Sequence, residues 1–172
     1  ALKLIKSGNK VLDMCTGSGA IAIAVSLKAN AVVTAVDVSS EALSIAEENA
    51  KNLGANVEFI KSNKFENVNG KFDFILSNPP YIKKSDLENL QSEVKFEPSL
   101  ALDGGVDGLD FYREFSVVCH EYLNENGVIF IEFGIGQDEE IKKLFEDSGK
   151  YASVEIIKDI NGINRIVKAV LK

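Results

Sequence analysis

A strand that runs straight into two prolines leaves the chain little freedom at residues 72–82. Phe72, Phe74 and Leu76 alternate with Asp73, Ile75 and Ser77, so the first half reads as a short strand, mostly apolar and buried on both faces. Pro79 and Pro80 have no amide hydrogen to give a sheet and hold the residues before them extended. The strand therefore stops with Asn78 fixed at its carboxyl end. In an open α/β sheet that is the end where ligands bind.

Two of the chain's three prolines are placed here, and the rigidity suits recognition of a planar NH2 group. The Asn78 side-chain oxygen and the Pro79 carbonyl are two fixed acceptors that can hold two N–H donors at once. Tyr81 adds an aromatic face for a flat amide or base. A strand-ending turn with a helix-capping Asn would account for an isolated Asn-Pro pair. The run Asn78-Pro79-Pro80-Tyr81 directly after an apolar strand favours recognition instead.

Upstream, the first ten residues read as the tail of a helix ended by Gly8. Val11-Leu12-Asp13-Met14 is a strand, Cys15-Thr16-Gly17-Ser18-Gly19 a glycine loop, and Ala20 to Leu27 a helix. Gly17 and Gly19 let the backbone approach a ligand, and the helix start beyond them presents free N–H groups. A second strand, Ala31 to Asp37, ends in an acid 20 positions after Gly17, the spacing at which a carboxylate accepts from ribose hydroxyls. A turn or capping aspartate is the plainer alternative for Asp37. Ser39 or Ser40 then caps a helix whose predicted buried stripe is Ala42, Ile45, Ala46, Ala50 and Leu53, with Gly54 ending it. Val57 to Ile60 is a third strand, and Asn63 after it either touches an adenine ring or opens a turn.

Downstream, Ser85 to Ser92 reads as a polar helical piece, and the glycine-rich stretch from Phe96 to Gly108 as a substrate-shaping loop. A helix from Phe111 to Leu123 carries Phe111, Phe115, Val118 and Tyr122 on one side. Gly127 opens a strand from Val128 to Phe133, and a helix with Ile141, Leu144 and Phe145 facing inward follows Gly134 and Gly136. Strands Ser153–Lys158 and Asn164–Leu171 meet across an Asn161-Gly162 turn.

At 172 residues, 45% apolar and 26% charged, the chain is expected to be one soluble domain, residues 1–172. It has no apolar run near the ~20 residues of a membrane helix and no signal peptide, which predicts a cytoplasmic protein with no membrane partner. A net charge of −7 with no clustered Lys or Arg argues against a stable nucleic-acid partner. Cys15 and Cys119 are too few for a zinc site and are expected to be reduced thiols, so no metal is predicted. The single histidine, His120, is expected to be structural.

Strand, glycine loop, ribose acid and Asn78-Pro79-Pro80-Tyr81, in this order, resemble the class I S-adenosylmethionine-dependent methyltransferases over essentially all 172 residues. The Asn-Pro-Pro-Tyr run is similar to that of enzymes methylating amide or exocyclic amine nitrogens. Glu97-Pro98, Ala101-Leu102-Asp103-Gly104-Gly105 and Asp107-Gly108-Leu109-Asp110-Phe111-Tyr112-Arg113 resemble more narrowly the HemK-type release-factor glutamine methyltransferases, which modify the glutamine of the Gly-Gly-Gln motif of peptide chain release factors. The resemblance implies an α/β fold with a seven-stranded, mostly parallel Rossmann-like sheet, an antiparallel last strand and helices on both faces. It implies S-adenosylmethionine as cofactor, with Asp13, Thr16, Gly17 and Gly19 at its methionine part, Asp37 at the ribose and Asn63 at the adenine, and Asn78, Pro79, Pro80 and Tyr81 receiving a glutamine side chain. A release factor is the implied partner and a monomer the expected state. Two departures stand out: Cys15 where the family usually has glycine, and Asn63 where aspartate is common. The amino-terminal helical domain of the family is expected to be absent. The rival readings are a nucleic-acid amine methyltransferase, with Lys83, Lys84 and Lys95 as its only nearby basic candidates, and a cofactor-binding module without catalysis.

Overall fold

The computed structural model describes residues 1–89 and 98–172. The expectations for Gln91, Ser92, Phe96, Glu97 and Lys95 lie outside the described residues. The strands form a seven-stranded sheet in the order β3-β2-β1-β4-β5-β7-β6, and the chain divides into two compact units, residues Ala1–Asn78 with Glu121–Phe130 and residues Pro79–His120 with Ile131–Lys172.

In the first unit, β1 (Lys10–Met14), β2 (Val32–Asp37), β3 (Val57–Lys61) and β4 (Phe72–Ser77) are parallel where they pair, with β1 between β2 and β4. Val11, Leu12, Asp13 and Met14 are all buried, as a strand covered on both sides requires. Helix α1 (Ala20–Ala29) follows the glycine loop, and its Ala22 and Val25 pack with Val11, Val33, Ala35, Phe74 and Leu76 in one apolar cluster. At ~1.5–3 kcal/mol for each large side chain withdrawn from water, this cluster fixes where the end of β1 lies. Helix α2 (Ser40–Leu53) begins at Ser39, whose hydroxyl accepts from the Ala42 amide at 3.2 Å, and ends at Gly54 with φ 70°.

Four expectations in this unit need correction. Residues 1–8 make turns rather than the tail of a helix; both Leu4 and Ile5 donate to the Ala1 carbonyl, and only Ile5 is buried. The buried stripe of α2 is Leu43, Ala46 and Ala50, while Ile45 and Leu53 face outward. Helix and sheet select one of two apolar faces that the sequence leaves equally available. Strand β5 (Leu123–Glu132) begins four residues before Gly127. Leu123 is fully buried and the Asn124 amide donates to Asp73 at 2.7 Å, contacts that extend the strand through a polar stretch. Tyr122, expected on the helix before it, instead stacks on Phe65 at 4.4 Å between ring centroids.

In the second unit, a single turn α3 (Ser99–Leu102) leads to α4 (Asp110–Val118), which gives way to a 3-10 turn at Cys119–Tyr122 rather than continuing as one helix. Phe111, Tyr112 and Phe115 of α4 and Ile141 and Phe145 of α5 (Asp138–Asp147) are buried. Phe111 stacks on Phe115, Phe115 meets Phe145 edge-on, and Phe145 lies 5.4 Å from Tyr151. Strands β6 (Tyr151–Lys158) and β7 (Asn164–Leu171) are antiparallel. Their connection is the five residues 159–163: Gly162, at φ 81°, donates to the Asp159 carbonyl, and Asp159 Oδ1 accepts from Asn161 and Ile163. Among the described residues no helix is long and apolar enough to cross a membrane.

Candidate functional site

The register of the first unit brings three polar residues to one edge. Asp13 pairs with Ala35 of β2 and Leu76 of β4, so Asp37 and Asn78, each two residues further on, leave the two strands that flank β1 at the same carboxyl end. Asp13 is fully buried. Its Oδ2 accepts from the Thr16 hydroxyl at 2.6 Å and the Ala22 amide at 3.1 Å, while its Oδ1 is buried with no hydrogen-bond partner among the described residues. Burial raises its pKa from 3.8 to about 7, against the pull of the Thr16 and Ala22 hydrogen bonds.

Asp37 ties the glycine loop to the second strand. Its Oδ2 accepts from Gly17 N and its Oδ1 from Ser39 N, both at 2.9 Å. The turn role, the plainer alternative to the ribose reading, is therefore real, and each oxygen keeps a further lone pair for another donor. Gly17 has φ 56° and open space where a Cβ would stand, whereas a Cβ on Gly19 would meet Ala46 at 3.0 Å. The first glycine leaves the loop backbone uncovered; the second lets α1 and α2 pack. Cys15 adopts φ 61°, the left-handed conformation that favours glycine, and burial, with the charges of Asp37 and Asp13, pushes its thiol up to about 12. Asn63 is exposed, gives its amide to Glu66 at 2.8 Å and opens the turn at residues 63–66. Its side-chain oxygen is not used in that bond. Asn78, at the end of β4, is exposed, and its side-chain amide bonds to no other described residue.

In the second unit, Pro79 is buried and Pro80 and Tyr81 are half-buried. The segment after them is laced to the glycine-rich stretch: Ile82 N donates to Leu102 O, Gly104 N to Ile82 O and Lys84 N to Gly105 O, at 2.8–2.9 Å. A Cβ on Gly104 would lie 2.8 Å from the Tyr81 Cα, and one on Gly108 2.4 Å from the Tyr81 carbonyl oxygen. These glycines seat Tyr81, which is what the described part of the predicted substrate-shaping loop does. Three residues that the sequence did not single out complete the surroundings. Gln137 donates to the Tyr81 carbonyl at 3.0 Å, and Arg165 donates to the Tyr81 hydroxyl at 3.1 Å and to Glu132 at 3.0 Å. Arg165 is one of only two arginines in the chain, the other being Arg113, and that scarcity was the available signal. Lys83 and Lys84 are both exposed.

A glycine loop and an acid thus stand at the ends of β1 and β2, with the uncommitted Asn78 amide at the end of β4 on the other side of β1. The Methyltransferase small domain family matches residues 2–95, more than half of the chain. The chain belongs to the methyltransferase small domain family. As a member of it, the chain is 43% identical over 164 residues to the release factor glutamine methyltransferase of Bacillus cereus, covering 92% of this chain and 58% of that protein. It is 47% identical over 131 residues to the ribosomal protein uL3 glutamine methyltransferase of Francisella tularensis, covering 74% of this chain and 42% of that one. The chain thus spans about half the length of the curated relatives it matches. The crystal structure of a methyltransferase from Pyrococcus furiosus has the same fold, with a TM-score of 0.75 at 22% identity over 98% of this chain and 77% of that one.

Proposed function

We propose that this domain transfers a methyl group from S-adenosylmethionine to the side-chain amide nitrogen of the glutamine in the Gly-Gly-Gln motif of peptide chain release factors. The observation that carries it is Asn78: exposed at the carboxyl end of β4, committed to no other described residue, and followed by two prolines and an aromatic ring. Similarity to two glutamine methyltransferases supports an amide as the acceptor.

The donor set fits the cofactor. Asp13 Oδ1 is a buried oxygen without a hydrogen-bond partner among the described residues, Gly17 leaves the loop backbone uncovered, and both Asp37 oxygens retain acceptor capacity. Asp13, Thr16, Gly17 and Gly19 would hold the methionine part, Asp37 the ribose and Asn63, through its oxygen, the adenine. Bound S-adenosylmethionine supplies a strongly electrophilic sulfonium methyl. An amide nitrogen is a poor nucleophile because its lone pair is delocalised into the carbonyl, so alignment and charge stabilisation are the protein's share. The Asn78 oxygen and the Pro79 carbonyl accept the two N–H bonds of the glutamine amide and strengthen as positive charge grows on nitrogen. Tyr81 offers the flat amide a wall.

The test is incubation with methyl-labelled S-adenosylmethionine and, side by side, a release factor, the same factor with its Gly-Gly-Gln glutamine changed, ribosomal protein uL3, and bulk tRNA and rRNA. Label on the intact release factor alone is expected. Label on uL3 alone keeps the amide chemistry and replaces the partner, an outcome that the 47% identity to the Francisella enzyme keeps in view. Label on RNA refutes the amide acceptor.

A further inference from the structure

We infer, on the basis of the role proposed above for Tyr81, that Gln137 and Arg165 are positioning residues that fix its ring before any acceptor arrives. Gln137 is buried, and both ends of its amide are engaged. The oxygen accepts from Gly134 N at 2.8 Å, and the nitrogen donates to the carbonyls of Tyr81 at 3.0 Å and Gly108 at 3.2 Å. This one side chain joins three segments of backbone, and only an amide carries the acceptor and the two donors required.

Arg165 holds the other end of the same tyrosine. Its Nη2 donates to the Tyr81 hydroxyl at 3.1 Å and to the Glu132 carboxylate at 3.0 Å, and the guanidinium carbon lies 5.4 Å from the ring centroid. Glu132 already neutralises the guanidinium, so its remaining use is geometric. The Arg165 carbonyl accepts from Phe133 N at 2.9 Å, which sets the start of β7 beside the end of β5 and so fixes where the guanidinium starts. Between the two anchors the ring has little room, since a Cβ on Gly134 would come within 3.1 Å of Tyr81 Cδ2. An aromatic wall held at its carbonyl, its hydroxyl and its edge gains nothing from adapting to a substrate and loses little entropy on binding one.

The experiment compares Arg165→Met, Gln137→Glu, Tyr81→Phe and the Arg165→Met/Tyr81→Phe double variant. Gln137→Glu keeps the shape and removes both donors. With ring-labelled tyrosine, the Tyr81 signal is identified by its loss in Tyr81→Phe; it is expected to shift toward the free-tyrosine position in Arg165→Met and Gln137→Glu. In methyl transfer to the release factor, kcat is expected to fall about tenfold to a hundredfold, with cofactor affinity unchanged. Arg165→Met should cost much less on the Tyr81→Phe background, because both changes break one contact. A Tyr81 signal unmoved in both variants, or costs that simply add, overturns the positioning role. Wild-type protein that labels no acceptor while its Tyr81 signal still moves in the variants overturns the proposed function and supports the anchoring. Wild-type activity with an unmoved signal does the reverse.

Discussion

Asp13 should make this protein less stable as pH rises from 3.8 to about 7, by an amount that one substitution can isolate. The carboxyl ionises at about 7 in the folded chain against 3.8 ordinarily, because burial withdraws the charged form from water and only two hydrogen bonds compensate. Below pH 3.8 the group is protonated whether the chain is folded or not, and it contributes no pH dependence. Between 3.8 and about 7 the unfolded chain loses the proton and the folded one keeps it, so folding carries a growing penalty; above 7 the penalty is complete. At about 1.4 kcal/mol per pH unit, the interval corresponds to roughly 4 kcal/mol, an upper bound for a structure that can relax around the charge. Asp13→Asn is the matched control. Its side-chain oxygen can take the place of Oδ2, accepting from Thr16 and Ala22 as before, and it carries no titrating group. Urea unfolding of both proteins from pH 4.5 to 8 should show Asp13→Asn gaining on the wild type with each step, the difference levelling off above pH 7. The chain has 26 Asp and Glu residues, so the absolute curves will carry other slopes; only the difference reports Asp13. Parallel curves, or a difference that shrinks as pH rises, would refute the account of Oδ1 as a buried oxygen without a partner.

Three further outcomes can be measured on the same protein. Asn78→Ala should reduce turnover by at least about a hundredfold with cofactor affinity nearly unchanged in calorimetry, and Asp37→Ala should weaken cofactor binding instead; the opposite pattern would dissolve the division of roles. Gly108→Ala should lose about 2–4 kcal/mol in thermal or urea unfolding, since it adds a strained φ of 79° to a collision with Gln137 and the Tyr81 carbonyl, while Gly17→Ala, strained but unobstructed, should lose about 1–2; equal losses would show that space at Gly108 is not the issue. Tyr151→Phe removes a buried hydroxyl that bonds to the Ser116 carbonyl at 3.3 Å and to the Cys119 sulfur at 3.0 Å, and denaturant unfolding should register about 1–3 kcal/mol.

The parallel half of the sheet and the end of β4 were legible because their signals are local. Short apolar runs mark β1, β2 and β4, Gly17 and Asp37 mark the loop and the acid, and two prolines stop a strand wherever they occur. What escaped is fixed by partners distant in sequence. Nothing near Gln137 announces that its amide will bridge Tyr81, Gly108 and Gly134. Nothing near Leu123 announces that β5 starts there and that Gly127 is glycine because a Cβ would press on Leu123 and the Asn124 carbonyl. The outward turn of Ile45 and Leu53 belongs to the same class, for α2 offers more than one apolar face and packing alone selects Leu43, Ala46 and Ala50. Asp13 was assigned to the cofactor from family likeness, but its unpartnered oxygen is a property of burial that no sequence pattern displays.

The glycines around Tyr81 bear on how the Asn78-Pro79-Pro80-Tyr81 run could be inherited or borrowed. Gly104 and Gly108 sit in a segment far along the chain, Gly134 further still, and each leaves a gap shaped to the backbone or ring of the tyrosine. Grafting the four residues onto another α/β scaffold would carry over the acceptors and leave behind the mould that holds the ring. A working transplant would have to bring the three glycines and the Gln137 amide with it, and random drift at any of the four would be felt at Tyr81 before it was felt anywhere else.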